Sequence, residues 1–257
     1  MRRVVLLVLA FLTTACAAPA GATGAATHPP ATPAPTAAVC LASAPCQGGA
    51  AGLPTAQVWV EPDARALPAL HAIEGANTAI WLEVYILTDS SVIHALEDAA
   101  TRGVVVRVLL ETNPYGGGAT DAQKTLAELN AAGVRARAAG PAYTYTHAKT
   151  MVVDGATAYV MTCNLSLSGL GGSSAATNRE YGVVDTDPAD VAALSAILQA
   201  DWDQTAPPPL TDPHLVISPI NARATLLGLI GAARSSLEVE DEEMADAASE
   251  DALIAAA

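Results

Sequence analysis

From Gln57 to Arg137 the chain alternates short β-prone apolar runs with segments of helical spacing, and this alternation constrains the fold more than any other feature. Val58-Trp59-Val60, Ala79 to Ile86, Val104 to Leu110 and Val134 to Arg137 read as strands. Asp63 to Gly75, with Asp63 as its N-cap, reads as a helix. So do Ser90 to Arg102 and Asp121 to Ala132, closed by Gly103 and Gly133. Val104 to Leu110 is apolar except for Arg107, the pattern of a strand buried on both faces. Aromatics make up only 4% of the sequence, so Val, Leu, Ile and Ala must fill the core. Strands joined by helices bury their apolar faces as layers, and the expected fold class is α/β, a mixed sheet flanked by helices on both faces.

Beyond residue 144 the pattern changes. Tyr145 to Val153 and Ala156 to Thr162 are β-rich and meet at Asp154-Gly155, a dipeptide suited to a type I′ turn with positive φ at both central positions. Glu180 to Val184 reads as a strand and Pro188 to Trp202 as a helix. The first arm carries His147-Ala148-Lys149 and the return ends in Thr162-Cys163-Asn164. Residues two apart on a strand share a face, so His147 and Lys149 can reach one anion together. Asn164 can approach the same point from the neighbouring strand or its end. Glu180 can arrive from an adjacent strand and accept a hydrogen bond from the imidazole.

Such a set suits phosphoryl transfer. An ammonium and an amide donor neutralise and orient phosphate oxygens, most strongly as charge develops. A histidine can attack phosphorus and divide one hard displacement into two easier ones. A carboxylate fixes the imidazole tautomer, and a second acid protonates the leaving alcohol. None of these steps calls for a metal, no Cys or His cluster has zinc spacing, and no cofactor is expected.

The pattern His147-x-Lys149-x4-Asp154, followed by Thr162-x-Asn164 and Glu180, resembles the HKD signature of the phospholipase D superfamily, over about residues 57–257. The resemblance implies His147 as the nucleophile or its acid/base counterpart and Lys149 and Asn164 as phosphate ligands. It implies a mainly structural part for Asp154 and an orienting role for Glu180 towards His147. The implied reaction is hydrolysis of a phospholipid at its distal phosphodiester through a phosphohistidine. Transfer of a phosphatidyl group to an alcohol, cleavage of nucleic acid, or a catalytically silent phosphate-ester binder are the alternatives. Met161 stands where the family usually has Gly. Members build one active site from two such motifs and this sequence contains one; the other is expected beyond Ala257, in the truncated repeat, with a homodimer as the alternative source.

Five segments are expected along the chain: a signal at 1–16, a tether at 17–56, the motif-bearing domain at 57–205, a linker at 206–213 and the start of a second repeat at 214–257. The repeat rests on Ala64-Arg65-Ala66 recurring as Ala222-Arg223-Ala224 and on the order strand, helix, strand, helix. Because it stops within a helix, the second copy is expected to be truncated.

The N-terminus has the form of an export signal. Arg2 and Arg3 precede the apolar run Val4 to Leu12, too short to span a bilayer, and Thr13-Thr14-Ala15-Cys16 resembles a lipobox. Lipidated Cys16 would tether the protein to a membrane outside the cytoplasm; cleavage near Ala17 would release it. Cys40 and Cys46 could then close a small disulfide loop in the oxidising compartment. The net charge of −14 argues against a nucleic-acid partner, which needs a basic footprint; a phospholipid at a membrane surface is the partner that the resemblance implies. Packing is the expected role of Glu83 and Tyr85, with a place lining the site as the alternative, and the loop Asn113 to Gly118 could border it.

Overall fold

A computed structural model describes residues 55–117, 119–172, 177–210 and 214–257. The expected signal, most of the tether and Cys16, Cys40 and Cys46 lie outside these residues. The chain divides into two units, one spanning 51–222 and the other containing 223–257.

In the first unit seven strands form one mixed sheet: β1 (Ala56–Glu61), β2 (Ala79–Val84), β3 (Val105–Leu110), β4 (Arg135–Ala138), β5 (Lys149–Val153), β6 (Thr157–Met161) and β7 (Glu180–Asp185), in the order β1-β7-β6-β5-β2-β3-β4. β2, β3 and β4 run parallel, joined by α2 (Ser90–Thr101) and α3 (Ala119–Ala131). The hairpin β5–β6, then β7 and β1, extend the sheet antiparallel from the other side of β2. The expected α/β architecture with helices on both faces is therefore the one formed.

Alternation along the strands builds two cores. Ile80, Leu82 and Val84 join Val106, Val108 and Met151 under α1 (Leu67–Gly75), α2 and α3. On the opposite face Val152 and Ala158 meet Val191, Leu194 and Leu198 of α4 (Pro188–Asp203). The end of α4 is held by cation–π contacts: the Arg137 guanidinium lies 3.9 Å from the Trp202 ring centre and donates to the Trp202 carbonyl at 2.9 Å. Arg107, the one polar residue in its strand, lies 4.4 Å over Trp81 on the same face.

Capping chemistry sets the helix starts. Asp89 accepts from the amides of Ser91 and Val92 to open α2, and Asp187 from those of Ala189 and Asp190 to open α4. For α1 the expected cap Asp63 is not used: the helix begins at Leu67, and the buried Glu61 carboxylate accepts from the amides of Arg65 (2.6 Å) and Ala66 (3.3 Å). Both of these residues have positive φ, which turns their N–H groups toward a single anion. The turn between β5 and β6 has φ of 54° at Asp154 and 62° at Gly155, as a type I′ turn requires.

Three other expectations are corrected. The strand expected from Tyr145 starts only at Lys149, because residues 141–148 have no ladder partner in the sheet. The expected boundary at 213/214 moves to 222/223: Leu215 and Ile217 pack on the α4-side core, and His214 Nδ1 lies 3.6 Å from the buried Asp190 carboxylate. In the second unit helices form, α5 (Ala222–Ala232, begun at the boundary) and α6 (Ala247–Ala256), but the strands expected around them do not form among the described residues. A helix satisfies its own backbone, whereas a strand needs a partner strand. α6 is capped by Asp246, which also takes a hydrogen bond from Arg223 at 3.1 Å.

Candidate active site

The site forms where β2 and β3 end and β5 begins. Val84, the last residue of β2, sits opposite Lys149 of β5 on one side and Leu110 of β3 on the other. Lys149 therefore enters the sheet beside a fully buried valine, and is itself only 3% exposed. Its Nζ lies 3.2 Å from Nδ1 and 3.3 Å from Nε2 of His147. The strand argument placed His147 and Lys149 on one strand face. The structure brings the two side chains together although His147 lies outside the strand, in an irregular segment leading into it.

Tyr85, the first residue after β2, forms a wall of this pair. Its ring packs edge-on against the imidazole at 4.2 Å between centres and lies 5.4 Å from Lys149 Nζ. Its hydroxyl accepts the Tyr115 amide at 2.6 Å, and its ring meets Tyr145. The site-lining alternative for Tyr85 is thus the one realised. Burial first, and then the Lys149 charge, push the His147 pKa down to about 4. The imidazole is therefore uncharged at neutral pH.

Thr162, Asn164 and Glu180 come from the other side of the hairpin. The Thr162 hydroxyl donates a short hydrogen bond to Glu180 and accepts the Tyr181 amide at 2.9 Å. Glu180 also accepts from Asn178 Nδ2 at 3.0 Å. These are the hydrogen bonds of its carboxylate among the described residues, where no direct hydrogen bond between Glu180 and the imidazole is formed. Cys163, between Thr162 and Asn164 in the sequence, is buried. Burial, then the Glu180 and Glu61 charges, push its thiol up to about 12 in spite of Lys149, so it stays protonated. Asn164 is fixed by its backbone neighbours: Leu165 bonds to Ile86, Thr88 and Asp89, and Gly169 packs so closely on the Asn164 carbonyl that a side chain there would clash. Among the described residues the buried Asn164 Oδ1 has no hydrogen-bond partner.

Asp154 is not part of this group. It lies at the opposite end of β5, roughly 16 Å from Lys149 at the ordinary rise per residue. There its carboxylate ties the hairpin turn to the start of β2 through the amides of Asn77, Thr78 and Ala79.

Two acidic residues near the site were not assigned a role in it from the sequence. Glu111, directly after β3, is buried and accepts the Thr146 amide at 2.9 Å and the Asn113 amide at 2.7 Å. An acid ending an apolar run broken only by Arg107 was the available signal. Glu83, read as a packing residue, is buried against Asp201 of α4. Burial, and then Asp201, raise its pKa to about 8. A pKa raised on folding stabilises fully below the unfolded value of ~4.3, and that stability is lost as pH rises through about 8. Glu83→Gln is therefore expected to raise Tm more at pH 8.5 than at pH 5, as read by calorimetry at the two pH values. Among the described residues no group of three or more His, Cys, Asp or Glu side chains could hold a metal ion, and no helix is long and apolar enough to cross a membrane.

The family described as cardiolipin synthase, PLD-like domain, matches residues 69–202, more than half of the chain. The chain belongs to the phospholipase D superfamily. Nuc from Salmonella typhimurium, a phospholipase D family member, is 21% identical with a TM-score of 0.51, over 60% of this chain and 97% of that one. Polyphosphate kinase from Porphyromonas gingivalis is 20% identical with a TM-score of 0.53, over 68% of this chain and 30% of the kinase. At these identities the likeness is one of fold. No curated protein matches the chain at a significant level. Membership places the protein in a class of phosphoric diester hydrolases and transferases, and the hairpin bearing His147 and Lys149 lies within the matched residues.

Proposed function

We propose that this chain contributes one half-site of an exported phospholipid phosphodiesterase that works through a phosphohistidine. The observation that carries the reading is an imidazole held 3.2 Å from a buried ammonium where β2 and β3 end and β5 begins. In the first step an imidazole nitrogen attacks phosphorus, and the bond from phosphorus to the head-group oxygen breaks. The leaving alkoxide takes a proton from the acid of the second half-site. In the second step water attacks phosphorus, its proton returns to that group, and the N–P bond breaks to give phosphatidic acid. Lys149 neutralises the non-bridging oxygens, and the Asn164 amide, turned so that its NH2 faces the phosphate, donates to one of them. Asp154 supports the hairpin and takes no chemical step. The second half-site comes from another His-Lys motif, which a second copy of the chain could supply.

Incubating the exported protein with phosphatidylcholine is expected to release choline and leave phosphatidic acid. A protein shown to be dimeric that releases none would end the hydrolase reading. A second reading is favoured by the family match, whose description names cardiolipin synthase: an alcohol in place of water would give phosphatidyl transfer. Conversion of phosphatidylglycerol to cardiolipin under the same conditions would choose it. The net charge of −14 speaks against nucleic acid, and plasmid degradation would reverse that judgement. The acid limb of kcat/KM is expected well below pH 6.5, towards the His147 value of about 4, and a limb at 6.5 would contradict the nucleophile assignment.

A further inference from the structure

His147 lies outside the sheet ladder, yet an attacking group must be held within a fraction of an ångström. Lys149 of β5 meets the ring at 3.2 Å, but the sheet ladder does not hold the backbone that carries it. Tyr85 packs on one side of the ring but sets only a contact distance. Glu180, the expected orienting residue, is bonded to Thr162 and Asn178. The segment's tether is found one residue upstream, where the buried Thr146 amide donates to Glu111 Oε2 at 2.9 Å.

Glu111 is well placed for such a task. Its own amide bonds to the Val84 carbonyl at 3.2 Å, so its backbone continues the β2–β3 ladder. From there the carboxylate reaches past the end of β2 to the segment leading into β5. Its second oxygen accepts the Asn113 amide at 2.7 Å and so holds the start of the next loop. That loop returns to the site through the Tyr115 amide on the Tyr85 hydroxyl, with the Tyr115 side chain 73% exposed at the rim. One carboxylate thus joins the segment before the histidine to the loop that buttresses the histidine's aromatic wall. A hydrogen bond from a buried amide to a carboxylate is among the stronger ones, and losing it leaves the donor unsatisfied.

We infer that Glu111 is the positioning residue for His147: its carboxylate fixes the backbone immediately before the reacting imidazole and couples that backbone to the 112–117 loop. The inference rests on the reading of His147 as the reacting group, and its role is indirect, since Glu111 touches neither imidazole nor substrate.

The test uses Glu111→Gln and Glu111→Asp in the full-length protein, in whatever assembly is active. The Gln variant is nearly isosteric but offers one acceptor for two amides. The Asp variant keeps both acceptors and the charge on a shorter arm. Two readouts are taken with phosphatidylcholine as substrate and by NMR titration of the histidine rings. For Glu111→Gln, kcat is expected to fall on the order of 10²-fold with KM nearly unchanged, as for a misplacement of about 1 Å. The midpoint of the His147 ring is expected to move from about 4 towards the ordinary value near 6.5, as the ring loosens from its burial beside Tyr85 and Lys149. Glu111→Asp is expected to recover part of both. Lower thermal stability with wild-type kcat and wild-type ring titration would overturn the inference and leave Glu111 a purely structural acid. If the Gln variant does not fold, the Asp variant is judged by the same two readouts. If the wild type turns over no phosphodiester, the proposed function fails, while the ring titration alone still decides for or against Glu111.

Discussion

His147→Asn is expected to lower phosphodiester turnover by about 10⁴-fold or more while leaving Tm within a few degrees of the wild type. Removing a covalent nucleophile costs far more than removing an accessory group, because the two-step path is lost altogether. Asparagine keeps a polar side chain beside Lys149, so the ammonium is not left against an apolar cavity. Tyr85 packs against the imidazole at 4.2 Å, and its hydroxyl remains tied to Tyr115, so the wall should stand. A direct complement is the covalent adduct. Quenching the wild type in base during turnover of phosphorus-labelled lipid should trap an acid-labile phosphoryl–protein bond that the variant lacks. Unchanged turnover, or an adduct of equal yield in the variant, would remove His147 from the chemistry.

Asp154→Ala should instead leave the chemistry alone and weaken the fold. Asp154 Oδ1 accepts from the Thr78 amide at 2.7 Å, the Thr78 hydroxyl at 2.9 Å and the Ala79 amide at 3.0 Å, while Oδ2 accepts the Asn77 amide at 2.9 Å. Burial alone would raise the carboxyl pKa, but the amides of Ala79, Thr78 and Asn77 and the Thr78 hydroxyl outweigh it and hold the group well below the ordinary carboxylate range. The site is largely open to water, so the stability at stake is discounted to about 2 kcal/mol at pH 7, with about 1 more for alanine at positive φ. A pKa depressed by folding stabilises fully above the unfolded value of ~3.9, and this is lost as pH falls towards the native one. Urea unfolding should therefore show a large gap between wild type and variant at pH 7 that narrows at pH 3. Asp154→Asn, which tolerates positive φ and keeps one acceptor, should lie between them. Loss of turnover without loss of stability would show that Asp154 reaches the chemistry after all.

Legibility in the sequence differed from residue to residue. The turn at Asp154-Gly155 was readable because its backbone requirement is local: two successive positive φ values select those residue types. The caps Asp89 and Asp187 were equally local in kind, each accepting amides two and three residues on. Asp63 was misread because the same capping demand was met by Glu61, which needs the two positive-φ residues Arg65 and Ala66 to aim their amides backwards. No spacing rule carries that geometry. The partners of Glu180 were not legible for a related reason. Its strand and its neighbourhood were as expected, but Thr162 and Asn178 compete for its oxygens.

Periodicity by itself determined that this chain builds a mixed sheet covered by helices, and the spacing of His147 and Lys149 determined that an imidazole and an ammonium could share one anion. The sheet follows from local rules, the alternation of side chains along a strand and the repeat of a helix; the meeting of the His147 and Lys149 side chains does not, because His147 precedes β5 and its ring packs beside Tyr85. Only the tertiary structure decided which backbone groups the carboxylates meet. Asp154 finds Asn77, Thr78 and Ala79, and Glu111 finds Thr146, because the strand order sets β2 between β3 and β5 and so brings distant segments to adjoining strand ends. Strand order is a property of the whole packed sheet, settled by burial summed over both cores, and no short window of sequence contains it.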